Sequence, residues 1–324
     1  MSATALLRKL KGSMFPKLVL DRTPLDNQIA ELKKALGDIT AKYEAALTAV
    51  HAPAAAPTTF HFNGYDIPVD LMQMTGGGPE TFEEISAMHQ SNLAKWIGIK
   101  PQHHVLEIGC GIGRDAIPLS TILSDGSYVG VDIIGRSIEW CTANIGARNP
   151  NFKFVHYDVD DQLHNPGGTT STEAIVLPIE DRSIDRIFLF SVFTHMYQED
   201  IEHYLHEFSR VLKPDGLVYA TTFIYDDAVL ESARSTNKTI FNLRFEHELH
   251  EGCRINNLEY PLGAVAFTRE LWQKMLIAGG MKLAKPILNG QWSGLYDKFD
   301  DGQDVLILQP AQIMHSLTGL PHTS

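Results

Sequence analysis

Two carboxylates, a run of glycines and one histidine stand where a folded chain could do chemistry. Residues 105–108 are an apolar run carrying one acid, Glu107, and Gly109, Gly111 and Gly113 follow at every second position before Arg114. Glycines so spaced let backbone approach a bound molecule closely, and a helix starting behind them offers unpaired N–H groups. Twenty-three residues beyond Gly109, a second short run (128–131) ends in Asp132. A carboxylate there can accept hydrogen bonds from two neighbouring hydroxyls of a ligand. Further on, Ser191-Val192-Phe193-Thr194-His195-Met196 follows another apolar run. An imidazole just past a strand end is suited to moving a proton.

These groups need a scaffold that brings them to one edge. The sequence offers strand-like runs at 105–108, 128–131, 152–157, 184–190 and 217–223, with Asp158 at the end of the third. A helix is expected at 115–123 and another at 198–211, where Ile201, Tyr204, Leu205, Phe208 and Leu212 share one face. Leu212-Lys213-Pro214-Asp215-Gly216 is expected to break that helix in a turn before the fifth strand. A helix at 268–278 and a strand pair, 281–283 with 304–308, close the pattern. Strands alternating with helices argue for an α/β fold, in which ligands bind at the carboxyl ends of the strands.

The G-x-G-x-G spacing with Glu107 two residues ahead differs from the G-x-G-x-x-G of dinucleotide enzymes. With the L-K-P-x-G segment between helix and fifth strand, it resembles class I S-adenosylmethionine-dependent methyltransferases over residues 81–310. That resemblance implies a Rossmann-like, doubly wound seven-stranded sheet with the last strand antiparallel, preceded here by an N-terminal helical arm. It implies S-adenosylmethionine as cofactor, bound by Glu107, Gly109, Cys110, Gly111, Gly113, Asp132, Ile133, Asp158 and Ser191. Within that set Glu107 serves the methionine amino group, Asp132 the ribose and Asp158 the adenine amino group. A finer likeness lies in four segments: His164-Asn165-Pro166-Gly167-Gly168, Leu177-Pro178-Ile179-Glu180-Asp181, residues 191–196, and Gln291-Trp292-Ser293-Gly294 with Gln303-Asp304-Val305. Together they resemble a bacterial subgroup often associated with polysaccharide or secondary-metabolite pathways, and imply a hydroxyl acceptor on a sugar, glycan or glycosylated small molecule.

His195 is the expected general base, because an alcohol must lose its proton as the new bond forms. Its plain alternative is a histidine that only packs beneath the acceptor. The segment 224–266 is expected to cap the acceptor, with His247, His250, Tyr260 and, from a later loop, Trp292 as acceptor contacts. His247, Glu248 and His250 suit a divalent cation. The family's metal-dependent members, however, use acids near the positions where Phe193 and Phe223 stand, so no metal is expected. Three further readings stay open: an O-methyltransferase of a non-sugar metabolite, a non-catalytic cofactor-binding scaffold, and a nucleotide-cofactor oxidoreductase, which the glycine spacing and the L-K-P-D-G segment disfavour.

The 324-residue chain carries a net charge of −12. Residues 1–58 hold eight Lys/Arg and five acids, so the remainder is −15, which argues against nucleic acid as acceptor. No apolar run approaches the 20 or so residues that span a bilayer, and no signal peptide is evident. Cys110, Cys141 and Cys253 lack metal-ligand spacing and read as reduced thiols of a cytoplasmic protein. Residues 1–22 form a basic tail, whose first 18 residues offer a weak chance of peripheral membrane contact. Leu25, Ile29, Leu32, Leu36, Ile39, Tyr43, Ala46 and Val50 form a heptad seam within a helical segment, 23–50, expected to join chains into a homo-oligomer, its alternative being a helix that packs back on its own domain. An Ala/Pro linker (51–59), the domain (60–310) and a tail (311–324) complete the expected organisation.

Overall fold

The computed structural model describes residues 33–34, 59–159, 165, 167–170, 175–239 and 241–311. The basic tail, nearly all of the heptad seam, the linker up to residue 58 and the final tail lie outside the described residues. The chain divides into two units, Met1–Pro57 and Thr58–Ser324. All elements named below belong to the second.

A hairpin comes first: β1 (Thr59–Phe62) and β2 (Tyr65–Pro68) pair antiparallel. Asn63 and Gly64 between them both take positive φ, as a two-residue hairpin turn requires. Two helices follow, α1 (Val69–Gln73) and α2 (Phe82–Trp96). Then β3 (His104–Ile108), α3 (Ala116–Leu119), β4 (Ser127–Asp132), α4 (Gly135–Cys141) and β5 (Phe152–His156) alternate. β6 (Ile184–Leu189), a single 3-10 turn at Phe193–His195, α5 (Gln198–Val211) and β7 (Leu212–Tyr225) form the second winding.

Strands β5, β4, β3, β6 and β7 lie side by side and parallel. β12 (Asp304–Pro310) runs antiparallel to β7, and β11 (Met281–Leu283) antiparallel to β12. This is the seven-strand core that the resemblance implies. The chain winds outward from β3 through β4 to β5, then returns to the other side at β6. The crevice between β3 and β6 is therefore the topological switch point, where doubly wound folds bind ligands.

Among the described residues the sheet is larger than expected, with ten strands. β10 (Val265–Thr268) pairs parallel with the last residues of β7, and β9 (Cys253–Ile255) and β8 (His247–His250) extend it antiparallel. β7 can hold both neighbours because it is 14 residues long. β6 stops at the Leu189–Ala220 pair, and β10 begins opposite Phe223. The expected acceptor cap, which also contains α6 (Asp227–Thr236), is thus largely an annex of the sheet.

Burial alternates with the strand period. Val105 packs with α2 residues Phe82 and Leu93 on one face, while Leu106 packs with α5 and α7 (Arg269–Ala278) on the other. Helix α5 buries Ile201, Tyr204, Leu205, Phe208 and Val211, close to the stripe read from its spacing. Each large apolar side chain so placed contributes roughly 1.5–3 kcal/mol over leaving it exposed. Two local expectations fail. α3 is one turn long rather than reaching residue 123, because Ser120 and Thr121 hydroxyls turn back to the carbonyls of Ile117 and Pro118. The segment 212–216 is a bulged strand start rather than a free turn. Ile184 pairs with Leu212 and Arg186 with Leu217, so Lys213 to Gly216 loop out of register.

Candidate active site

At the switch point a cleft of about 400 Å³ opens. Its floor is the glycine turn. Gly109, Gly111 and Gly113 have φ of 75°, 50° and 80°, a region that L side chains avoid. The crowding around Gly111 comes from protein: a Cβ there would lie 2.3 Å from Thr75 Cγ2. Asp132 is buried at the tip of β4 and accepts from the Gly111 N–H at 2.6 Å and the Ile134 N–H at 2.8 Å. One carboxylate thus fixes the turn from the floor of the cleft.

Glu107 is buried beneath the same cleft, where the Tyr128 hydroxyl donates to it. Burial, reinforced by the nearby Asp115 carboxylate, pushes its pKa well above the usual carboxylate range. A cation entering the cleft would favour its ionised form. Cys110 and Cys141 are buried, and burial drives both thiols far above their ordinary pKa, which makes them packing residues and not nucleophiles. Ile133, Ile134 and Tyr157 line the other end. Tyr157, which donates to the Val176 carbonyl, is a lining residue that the sequence did not single out.

Asp158 does not line the cleft. Its carboxylate accepts from Asn165 Nδ2 at 3.0 Å and Thr169 Oγ1 at 2.8 Å, which hold its pKa below the usual value. It ties down the Asn165 loop, and thereby accounts for the asparagine of the N-P-x-G segment.

Opposite the glycine turn, the cleft is walled by Ser191, Val192, His195 and Met196 past the end of β6, and by Thr221, Asp301 and Gln303. Ser191 has a φ of 56°, strained for a non-glycine residue. Its N–H donates to Thr221 Oγ1 at 2.7 Å, and its hydroxyl accepts from Gln303 Nε2 at 2.6 Å. His195 Nδ1 lies 2.8 Å from the Leu262 carbonyl, contributed by the cap. A carbonyl only accepts, so Nδ1 carries the hydrogen of this bond.

The four expected acceptor contacts are not brought into this cleft. His247 and His250 lie on the outer strand of the annex, and Tyr260 is exposed outside the cleft lining. Trp292 is core: its ring packs edge-on against Phe223 and Phe245, and its Nε1–H donates to Asp304 Oδ2 at 2.8 Å. Asp304 also accepts the N–H groups of Gly290 and Ile224, and burial raises its pKa to about 6. The W-S-G…Q-D segments are therefore a clamp that sets the loop bearing Gln303. Among the described residues, no three His, Cys, Asp or Glu side chains converge as a metal site.

Sequence reasoning also missed a buried pair. His89 on α2 lies with Nδ1 2.8 Å from Asp115 Oδ2, and its ring stacks on Phe190 at 3.4 Å between centroids. Neither residue lay in a recognisable motif, and their separation of 26 residues left no local signal.

The sheet order, the glycine turn and the Glu107–Asp132 floor define a class I S-adenosylmethionine-dependent methyltransferase domain, with S-adenosylmethionine as its cofactor. Residues 105–216 match the methyltransferase domain family. Among relatives, a sterol 24-C-methyltransferase of Gibberella zeae is 27% identical over 57% of this chain and 44% of its own. The 27-O-demethylrifamycin SV methyltransferase of Amycolatopsis mediterranei is 26% identical over 51% of this chain and 57% of its own. A tRNA N(3)-cytidine methyltransferase of Danio rerio is 26% identical over 51% and 42%. The chain spans about half the length of the relatives it matches.

Proposed function

We propose that the domain methylates a hydroxyl oxygen of a sugar, glycan or glycosylated small molecule, with His195 as general base. The bound cofactor supplies an electrophilic methyl group on a sulfonium that leaves readily. What the chain must add is alignment of the acceptor and a destination for its proton. The observation that carries the reading is the place of His195 in the cleft lining, past the end of β6, where its Nδ1 is held by the Leu262 carbonyl. Gln303, Ser191 and Thr221 make the same wall polar, as a hydroxylated acceptor requires. The rifamycin relative supports oxygen as target; the sterol and tRNA relatives carry other acceptors, so the choice rests on the wall. The −15 charge beyond residue 58 disfavours a nucleic acid.

Labelled S-adenosylmethionine offered with a panel of sugars, glycosides and their aglycones tests the acceptor class. His195→Ala should lower kcat by roughly 10²–10⁴-fold while cofactor affinity stays within about twofold. It should also remove the fall in rate that acid imposes on the wild type, since a protonated Nε2 cannot accept. A variant with near-normal kcat would overturn the base. Cofactor binding without product from any acceptor would favour a scaffold.

A further inference from the structure

The loop that bears Gln303 is held at one buried carboxylate, Asp301, which is only 7% exposed and lines the cleft. Three donors meet it, from three parts of the fold. Asn92 Nδ2 of α2 donates to Oδ2 at 3.3 Å, the Tyr219 hydroxyl of β7 to the same oxygen at 3.1 Å, and the Gln303 N–H to Oδ1 at 3.1 Å. All three are neutral, so hydrogen bonds alone offset the desolvation of this carboxylate. Asn92 is equally buried, lies outside the cleft lining, and spends its amide on the loop twice, since Nδ2 also donates to the Asp300 carbonyl at 2.9 Å. From Asp301 the contacts run on to the cleft: Gln303 donates to Ser191 Oγ, and Ser191 is the residue with a φ of 56°. Asn92, Tyr219, Asp301 and Gln303 all lie outside residues 105–216, the segment that matches the family.

We propose that Asn92 is a positioning residue: through Asp301 it sets Gln303 against Ser191, and so shapes the wall that receives the acceptor. The proposal rests on the assignment of that wall to the acceptor and extends it to a helix that lies before the glycine turn. An amide suits the task, because it donates to a carboxylate and to a carbonyl at once and brings no charge. Without it Asp301 keeps two donors, and the loop loses both of its bonds to Asn92. A shift of about 1 Å in a group that orients a substrate is enough to be felt in turnover. The groups around the Asn92–Asp301 contact are few. Tyr219 has its pKa pushed up by burial and by the Asp301 charge, so it stays a donor. The Asp300 carboxylate is paired with Lys95, and His89, one turn back on α2, is turned to Asp115.

Asn92→Asp tests this without changing shape. Two buried carboxyls in contact cannot both ionise, so one keeps its proton to a pH above the usual carboxylate range. While it does, that O–H donates in place of the lost N–H, and as pH rises through the raised value the contact is lost. The Gln303 amide, which donates to Asp301, reports the loop through hydrogen exchange on the full chain. Corrected for intrinsic rate, its protection should be equal at pH 5.5 and pH 8 in the wild type. It should fall about tenfold at pH 8 in Asn92→Asp and return at pH 5.5, and Asn92→Leu should lose it at both. With a glycoside that the wild type methylates, Asn92→Asp should raise acceptor KM about three- to tenfold at pH 8 and match the wild type at pH 5.5, while affinity for S-adenosylhomocysteine by calorimetry holds within about twofold. Tyr219→Phe removes the other side-chain donor and stands in should Asn92→Leu fail to melt cooperatively. A Gln303 amide that stays protected, a loss in Asn92→Asp that ignores pH, or an equal loss of cofactor affinity would overturn the proposal. Release of the amide with acceptor KM unmoved would instead strike at the assignment of the wall.

Discussion

The two walls of the cleft are held by different kinds of contact. On the cofactor side, Asp132 reaches two residues forward and 21 back, and Glu107 meets Tyr128 at a separation of 21. On the side we assign to the acceptor, His195 is fixed by a carbonyl 67 residues away, Ser191 by an amide 112 away, and Asp301 by Asn92 209 away. One wall is a local supersecondary unit; the other is assembled only when the ends of the domain have met. A change in the first should therefore act on the cofactor alone, and a change in the second on the acceptor alone.

The largest expected effect lies on the local side. Asp132→Ala removes a carboxylate acceptor and leaves the Gly111 and Ile134 N–H groups without it. Cofactor affinity should fall on the order of a hundredfold by calorimetry, with the acceptor KM little changed at saturating cofactor. An equal rise in acceptor KM would break the separation of the walls. Gln303→Ala should show the reverse, raising acceptor KM about tenfold in steady-state kinetics while cofactor affinity holds.

The smallest effect is on stability. Asp304 has its pKa raised in the fold, to about 6, so the folded chain holds that proton more tightly than the unfolded one. Its contribution is fully present below the ordinary carboxylate range and is lost as pH rises through about 6. Asp304→Asn should melt within a few degrees of the wild type at pH 7, and the gap should widen in the wild type's favour toward pH 5. A gap constant across that range would show that burial does not govern this carboxylate.

The same division explains what could be read from the sequence. Gly109, Gly111, Gly113 and Asp132 were legible because strand, turn and helix leave periodic, contiguous signals, and Ile201, Tyr204, Leu205 and Phe208 because a helix face repeats. The ten-strand sheet was not, since β8 to β10 are three or four residues each and their pairing depends on the length of β7. Trp292 was placed at the acceptor because a tryptophan in a loop resembles a binding residue. Only the fold shows its indole N–H spent on Asp304. His89 left no pattern, since its place beside Asp115 comes from packing α2 against the glycine turn.

The partner that orients His195 is a main-chain oxygen, that of Leu262. Every amino acid carries that oxygen, so no side-chain replacement at position 262 removes it; only a shift in the path of the cap does. Descendants of this chain could therefore vary the cap's side chains, and with them the molecules admitted, while the proposed base keeps its tautomer through each step. Changes in acceptor range and persistence of the base would then be inherited separately.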